Sequence, residues 1–294
     1  MAWRPRRRPA SRRCACTPTG GTTSSKRTTG PTSRRSDRWS KLERITLSDG
    51  RRTSIGTLGG VQRRSRYPLG DPRSLVQGTP AWKQARAGLL TASVAGAALG
   101  VAGAFRSRES VAALLHAQLH GPARADEDAE VEGLDADRRQ AMQRGRALEP
   151  VARRAYEWIH GVRVEESGLH LHPRHPTALA ASPDGIVLRT DGALSDLLVE
   201  LKVPRARSRG PGLTDAYLCQ LQLAMACTGT RRADFAVLRD DGTARQLATT
   251  RVERDDALLD VMERQLLAFH AEAQVDDEPW LLESRDIAQL RLAL

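Results

Sequence analysis

Residues Leu197 to Val203 read Leu-Leu-Val-Glu-Leu-Lys-Val, an apolar run with two opposite charges set two residues apart. A run this short, rich in Val and Leu and followed by Pro204, is a strand, and the period of two puts Glu200 and Lys202 on the same face. Its apolar neighbours mark the strand as buried, and burying a carboxylate and an ammonium is costly unless they pair or hold a metal ion. Any fold of this chain must bring compensating groups to that face. A plain ion pair is one solution and a catalytic metal site is the other.

The surrounding sequence supplies the frame. Thr79-Pro80 is a helix start, a capping hydroxyl followed by proline at the first helical position. Ser107 precedes an apolar-periodic run, Val111, Leu114, Leu115 and Leu119, which Gly121-Pro122 ends. Residues 123 to 137 are acidic and irregular, a surface loop. From Asp137 to His160 the pattern is helical, with a kink or break expected at Pro150. After Gly161 the period changes to short strands over Val162 to Glu166, Leu169 to His172, Ile186 to Arg189 and Leu197 to Val203. A helix from Thr214 to Cys227, a hairpin around Asp240-Asp241-Gly242 and a long helix from Arg254 to Ala273 follow. This order predicts an α/β (α+β) fold, a central mixed sheet flanked by helices.

Charge divides the chain. Residues 1 to 66 carry 18 basic residues against 3 acidic, +15, while the other 228 carry 28 against 32, −4. With 19 Ser/Thr besides, residues 1–66 cannot bury enough apolar surface to fold alone and read as a disordered basic leader. Its composition fits an organellar transit peptide, a nucleic-acid-binding arm or a solvated tail. Residues 67–77 are a linker, 78–275 the folded domain and 276–294 a C-terminal extension. Aromatics are 4% of the chain, so the core must rest on Leu, Val and Ala.

Cys219 and Cys227 lie eight helical residues apart, about 12 Å, beyond the roughly 7 Å limit for a disulfide. An intracellular, reducing location follows, and no secretory-type apolar stretch stands near Met1. Gly88 to Phe105 is uncharged but made mostly of Ala, Gly, Ser and Thr, which favours a close-packed buried segment over a membrane span.

Sixteen residues before Glu200 stands Asp184, in the tight turn Ser182-Pro183-Asp184-Gly185. A turn carboxylate followed at hairpin distance by Glu-x-Lys is the arrangement of metal-dependent nucleases. Carboxylate oxygens hold Mg²⁺ with several waters retained, a bound water attacks phosphorus, and lysine stabilises the charge that develops. Alone, the pattern recurs by chance. Here it is joined by Gly145 to Pro150, by Tyr217-Leu218-Cys219-Gln220, whose Tyr217 and Gln220 share a helix face, and by Trp82 with Arg86 to Ser93.

This ordered set resembles the YqaJ-type viral recombinase family, which contains the lambda-type exonucleases, a branch of the PD-(D/E)xK superfamily. The likeness runs from Gly78 to Ala273. It implies a restriction-endonuclease-like fold with the active site at one sheet edge, and cleavage of double-stranded DNA from a free 5′ end by two-metal phosphodiester hydrolysis, in recombination or repair. It implies Asp184, Glu200, the Leu201 backbone carbonyl and Glu149 as ligands of Mg²⁺, for which Mn²⁺ can substitute. Lys202 would polarise the attacking water, with Gln220 beside it, and Arg86, Ser93 and Ser182 would hold a 5′-terminal phosphate. A ring-shaped homotrimer and a single-strand annealing protein as partner are further implications. Two alternatives stay open: a structure-specific endonuclease with the same site, and a non-catalytic DNA-binding protein on a degenerate nuclease fold.

Other residues carry weaker signals. Tyr217 and the arginines Arg205, Arg207 and Arg209 after the Glu-x-Lys strand are candidate DNA contacts, as are Arg231 and Arg232. His170, His172 and His175 resemble zinc ligands but lack a fourth partner, and read as a solvated strand end.

Overall fold

A computed structural model of the chain describes residues 43–46, 52–55, 67, 70–120, 136–204, 212–240 and 245–275. Local signals start and stop its helices where chemistry demands. Helix α1 (Pro80–Arg86) begins with Thr79 accepting the Trp82 N–H and with proline in its first turn. Helix α2 is Ala92–Ala98 and α3 is Arg108–His120. The Thr214 hydroxyl caps α5 (Asp215–Thr228), which ends on Gly229 at φ 76°, a left-handed cap that glycine adopts without strain. Asp255 caps α6 (Asp256–Ala273).

Strands β1 (Glu43–Thr46), β2 (Arg52–Ile55), β4 (Arg163–Glu165), β7 (Gly185–Leu188), β8 (Leu194–Lys202), β9 (Arg232–Asp240) and β10 (Arg245–Glu253) form one mixed sheet in the order β2-β1-β10-β9-β8-β7-β4. Strand β8 runs parallel to β9 and antiparallel to β7. A small second sheet, β3 (Leu90–Thr91), β6 (Leu179–Ala181) and β5 (His170–Leu171), lies in the order β3-β6-β5.

The pleat of β8 splits its side chains between two cores. Leu198 joins the cluster of α2, α3, α5 and α6, with Leu115, Leu221, Met225, Phe235 and Leu266. Val199 and Leu201 join the opposite cluster, with Leu148, Val151, Ala155 and Tyr156 of helix α4 (Ala136–His160). The sheet is thus covered on both faces, and both cores are built mainly from aliphatic side chains. Gly96 lets α2 meet α5, since a Cβ there would lie 2.8 Å from Ala216 Cα. The uncharged segment is buried in this way at Leu90 to Ala92 and Ala95 to Leu99, while Ser93 and its end at Ala102, Gly103 and Phe105 are exposed, and among the described residues no helix is long and apolar enough to cross a membrane.

Two expectations are corrected. Helix α4 continues through Pro150. Proline removes one backbone hydrogen bond, but Leu148, Val151 and Ala152 on either side are buried against the sheet and hold the helix together. Within the leader expected to lack structure, β1 and β2 form a hairpin whose β1 pairs in parallel with β10. It covers the beginning of the outer edge of β10, at Arg245 and Gln246, where backbone donors and acceptors would otherwise be unpaired. The rest of residues 1–66, the acidic loop and residues 276–294 lie outside the described residues.

Candidate active site

The hairpin of β7 and β8 assembles the first pair of acids. Gly185 faces Val199 and Ile186 faces Leu198, so Asp184, one residue before β7, stands across from Glu200. Gly185 permits the close approach of β4, because a Cβ there would overlap Val164 Cγ1. Asp184 Oδ2 accepts the Leu201 N–H at 2.6 Å. Glu200, 4% exposed, accepts at Oε1 from Lys202 Nζ and from Gln220 Nε2 of α5, each at 2.6 Å. The compensation required by the buried strand is therefore an ion pair reinforced by an amide. Lys202 Nζ also lies 5.3 Å from the ring centre of Tyr217, which packs against Phe235. Tyr217, expected to touch DNA, faces the cleft and also supports the lysine.

Glu149 reaches the same place from the opposite layer. It stands on α4, where Arg153 Nη2 binds its Oε1 at 2.7 Å and the Asp184 carbonyl at 3.1 Å. Arg153 Nη1 binds Glu166. Burial pushes the Asp184 carboxyl well above the ordinary carboxylate range, and repulsion from Glu200 and Glu149 adds to it. Burial likewise raises Glu149, with Arg153 pulling against it. For Lys202, burial opposes the charged form but is outweighed by Glu200 and Asp184, so the ammonium is held on.

Three carboxylates that repel one another suit a multivalent cation. Among the described residues, protein donors reach one oxygen of each, Asp184 Oδ2, Glu200 Oε1 and Glu149 Oε1, and leave the others for an ion. Such hard oxygen donors fit Mg²⁺ or Mn²⁺. In the present rotamers no three His, Cys, Asp or Glu side chains among the described residues converge tightly enough to hold an ion; each acid is turned instead toward its protein donor. The site also lies at the ends of β7 and β8, inside the sheet, with β4 forming the edge beyond β7. The resemblance had implied the edge itself.

A cavity of about 200 Å³ adjoins these acids and is lined by Arg86, Ser93, Ser182, Glu200, Lys202 and Gln220 among others. Ser182 Oγ accepts the Trp82 indole N–H at 3.0 Å, and the Arg86 guanidinium stacks 4.3 Å from the Trp82 ring centre. Arg86 Nη2 donates to Thr91 Oγ1 at 3.0 Å, and Thr91 and Ser93 share a hydrogen bond of 3.2 Å. A larger cleft of about 490 Å³ opens from Asp184 and Glu149 past Leu90, Val94 and Met142.

Three participants escaped the sequence reading. Arg153 is detectable as the i+4 partner of Glu149, and Thr91 lies between Arg86 and Ser93 without a signal of its own. Gln77, whose amide binds the Ser167 and Pro183 carbonyls at 3.0 and 2.9 Å, carried no signal.

The remaining candidates lie elsewhere. Arg205, Arg207 and Arg209 fall outside the described residues. Arg231 and Arg232 sit at the far end of the sheet, since Arg232 pairs with Leu197 while Lys202 pairs with Val237; the Arg232 guanidinium pairs with Asp196 and that of Arg231 with Asp256, while the Arg231 backbone N–H donates to Asp196 Oδ1. The histidines are not a solvated strand end. His170 and His172 are buried, His172 Nε2 lies 3.1 Å from the buried Glu263 of α6, and His175 stacks on His172. Cys219 and Cys227 are free and buried in α5.

Residues 81–231 match the YqaJ-like viral recombinase domain. Among solved structures, the chain is similar to an alkaline exonuclease (LHK-Exo) from Laribacter hongkongensis, at 34% identity over 72% of this chain and 100% of that one, with a TM-score of 0.50. The structure of LHK-Exo in complex with dAMP gives 33% identity over the same shares and a TM-score of 0.51. No curated protein sequence matches the chain.

Proposed function

The chain belongs to the family of YqaJ-like viral recombinase domains, and from that premise we propose that it is a metal-dependent exonuclease that shortens double-stranded DNA from a 5′ end in recombination or repair. The observation that carries the proposal is the strand register that sets Asp184 opposite Glu200, with Lys202 one pleat further and Gln220 on the same Glu200 oxygen. The relative LHK-Exo is described as an alkaline exonuclease and has been solved with dAMP, the type of product that stepwise DNA hydrolysis releases.

In this reading Asp184, Glu200, the Leu201 carbonyl and Glu149 hold Mg²⁺, or Mn²⁺ in its place. The ions supply Lewis acidity and an activated water at neutral pH, in a two-metal arrangement. Lys202 keeps its proton beside Glu200 and Asp184, so it acts as a fixed positive charge on the pentacovalent phosphate rather than as a base. Gln220 holds the Glu200 carboxylate in place. Arg86, held flat against Trp82, offers a guanidinium fork, and Ser93 and Ser182 offer hydroxyls, which together suit a terminal phosphate dianion. The duplex would follow local contacts of this kind, because residues 67–294 are net acidic.

The test is digestion of linear 5′-phosphorylated, linear 5′-hydroxyl and closed circular duplex with Mg²⁺. Release of mononucleotides from the phosphorylated ends, slower release from hydroxyl ends and no product from circles are expected, all abolished by Glu200→Ala. Cleavage of circles would make the protein an endonuclease; release that survives Glu200→Ala would sink the site.

A further inference from the structure

We propose that Arg153 is the positioning residue of this metal site, a role that rests on the nuclease reading above. Arg153 is 9% exposed, and its guanidinium joins three separate elements. Nη2 holds Glu149 Oε1 on α4 at 2.7 Å and the Asp184 carbonyl in the turn before β7 at 3.1 Å, while Nη1 holds Glu166 just after β4. One acid comes from helix α4 and the other from the turn into the sheet, and among the described residues no backbone hydrogen bond ties α4 to that turn, which the Arg153 side chain spans.

Geometry sets what the contact does. Fixing the Asp184 carbonyl fixes the peptide that leads into Gly185, and with it the direction in which the Asp184 side chain leaves the backbone. Fixing Glu149 Oε1 confines a flexible side chain that is one-third exposed and lines the cleft. The rigid fork fixes the directions of these bonds, Nη2 toward Glu149 and the Asp184 carbonyl and Nη1 toward Glu166; a lysine ammonium is a point donor on a flexible stem. A cation this close would also repel a divalent ion. Glu166, whose side chain is 72% exposed, offsets that charge from the outer side, so orientation is gained without leaving a net positive neighbour.

Groups that orient metal-binding side chains in this way are worth about 10- to 100-fold in metal affinity. The full-length chain is therefore titrated with Mn²⁺ by electron paramagnetic resonance, as wild type, Arg153→Met, Arg153→Lys, Glu166→Gln and Glu200→Ala, each also checked by circular dichroism. Arg153→Met should weaken Mn²⁺ binding at least tenfold and Arg153→Lys less. Glu166→Gln, at an exposed position that can change without unfolding the chain, should weaken it about threefold, the worth of one exposed charge pair. Nuclease turnover of Arg153→Met should recover toward wild type at saturating Mn²⁺, because the groups that meet phosphate are untouched. Unchanged Mn²⁺ affinity in the folded variants overturns the proposal, including the case in which Arg153→Met merely lowers the melting temperature. If wild type and Glu200→Ala bind Mn²⁺ alike, the metal site itself is wrong and the proposal falls with it.

Discussion

Replacing Asp184 by asparagine should make the metal-free protein more stable. The Asp184 carboxyl is held well above the ordinary carboxylate range by burial first, then by Glu200 and Glu149. A carboxyl raised in this way binds more protons in the folded chain than in the unfolded one. Its contribution to stability is intact below its unfolded value of 3.8 and is lost as pH rises through the folded value. At about 1.4 kcal/mol per pH unit, the loss at pH 7 cannot exceed about 4 kcal/mol. Lys202 and the Leu201 N–H favour the ionised form and offset part of it. An amide at this position keeps an oxygen for Leu201 and carries no charge for Glu200 to repel, so Asp184→Asn should recover about 1–2 kcal/mol, within the usual range of a single stabilising substitution. For a domain of this size that is a rise of roughly 2–8 °C in melting temperature. The assay is thermal unfolding in EDTA at pH 7, repeated at pH 4.5, where the difference between variant and wild type should shrink. Added Mg²⁺ should then stabilise wild type, by preferential binding to the folded state, and leave the variant unmoved. A variant that melts below wild type in EDTA at pH 7 would show that the acids do not strain one another.

Two further outcomes follow from packing and from a buried imidazole. Gly96→Ala should lower stability by about 1–3 kcal/mol, although alanine is the better helix former, because the new methyl meets Ala216 Cα at 2.8 Å; a rise in melting temperature would contradict this. Burial, then Arg73, depresses His170 to about 4 from 6.5, so the folded state binds fewer protons than the unfolded state between those values and loses stability as pH falls through them. Urea unfolding of His170→Asn should therefore lose about 2 kcal/mol less than wild type between pH 7 and pH 5, and equal losses would refute the assignment.

Local chemistry was legible in the sequence wherever a signal and its consequence lie within a few residues. Thr79-Pro80 marks a helix start, and Thr214 the start of another, because a cap acts over one helical turn. Glu200 and Lys202 share a face because strand geometry alternates regardless of what packs against it, and their isolation in an apolar run already required a partner. The ordered acids, read together, also carried the family and the mixed sheet. Tertiary structure decided what depends on surfaces meeting. Helix α4 passes through Pro150 because two sides of a buried stripe hold it against the sheet, an energy that local propensity does not contain. His172 is paired rather than solvated because α6 brings Glu263, 91 residues away, against it. The hairpin of β1 and β2 pairs with β10, whose outer edge lies far along the chain from it. Arg153 was visible as a neighbour of Glu149, but its grip on the Asp184 carbonyl exists only once α4 packs against the sheet beside the turn before β7. The residue types came from the sequence; the distances that let three like charges wait in one place came from the packing of two layers.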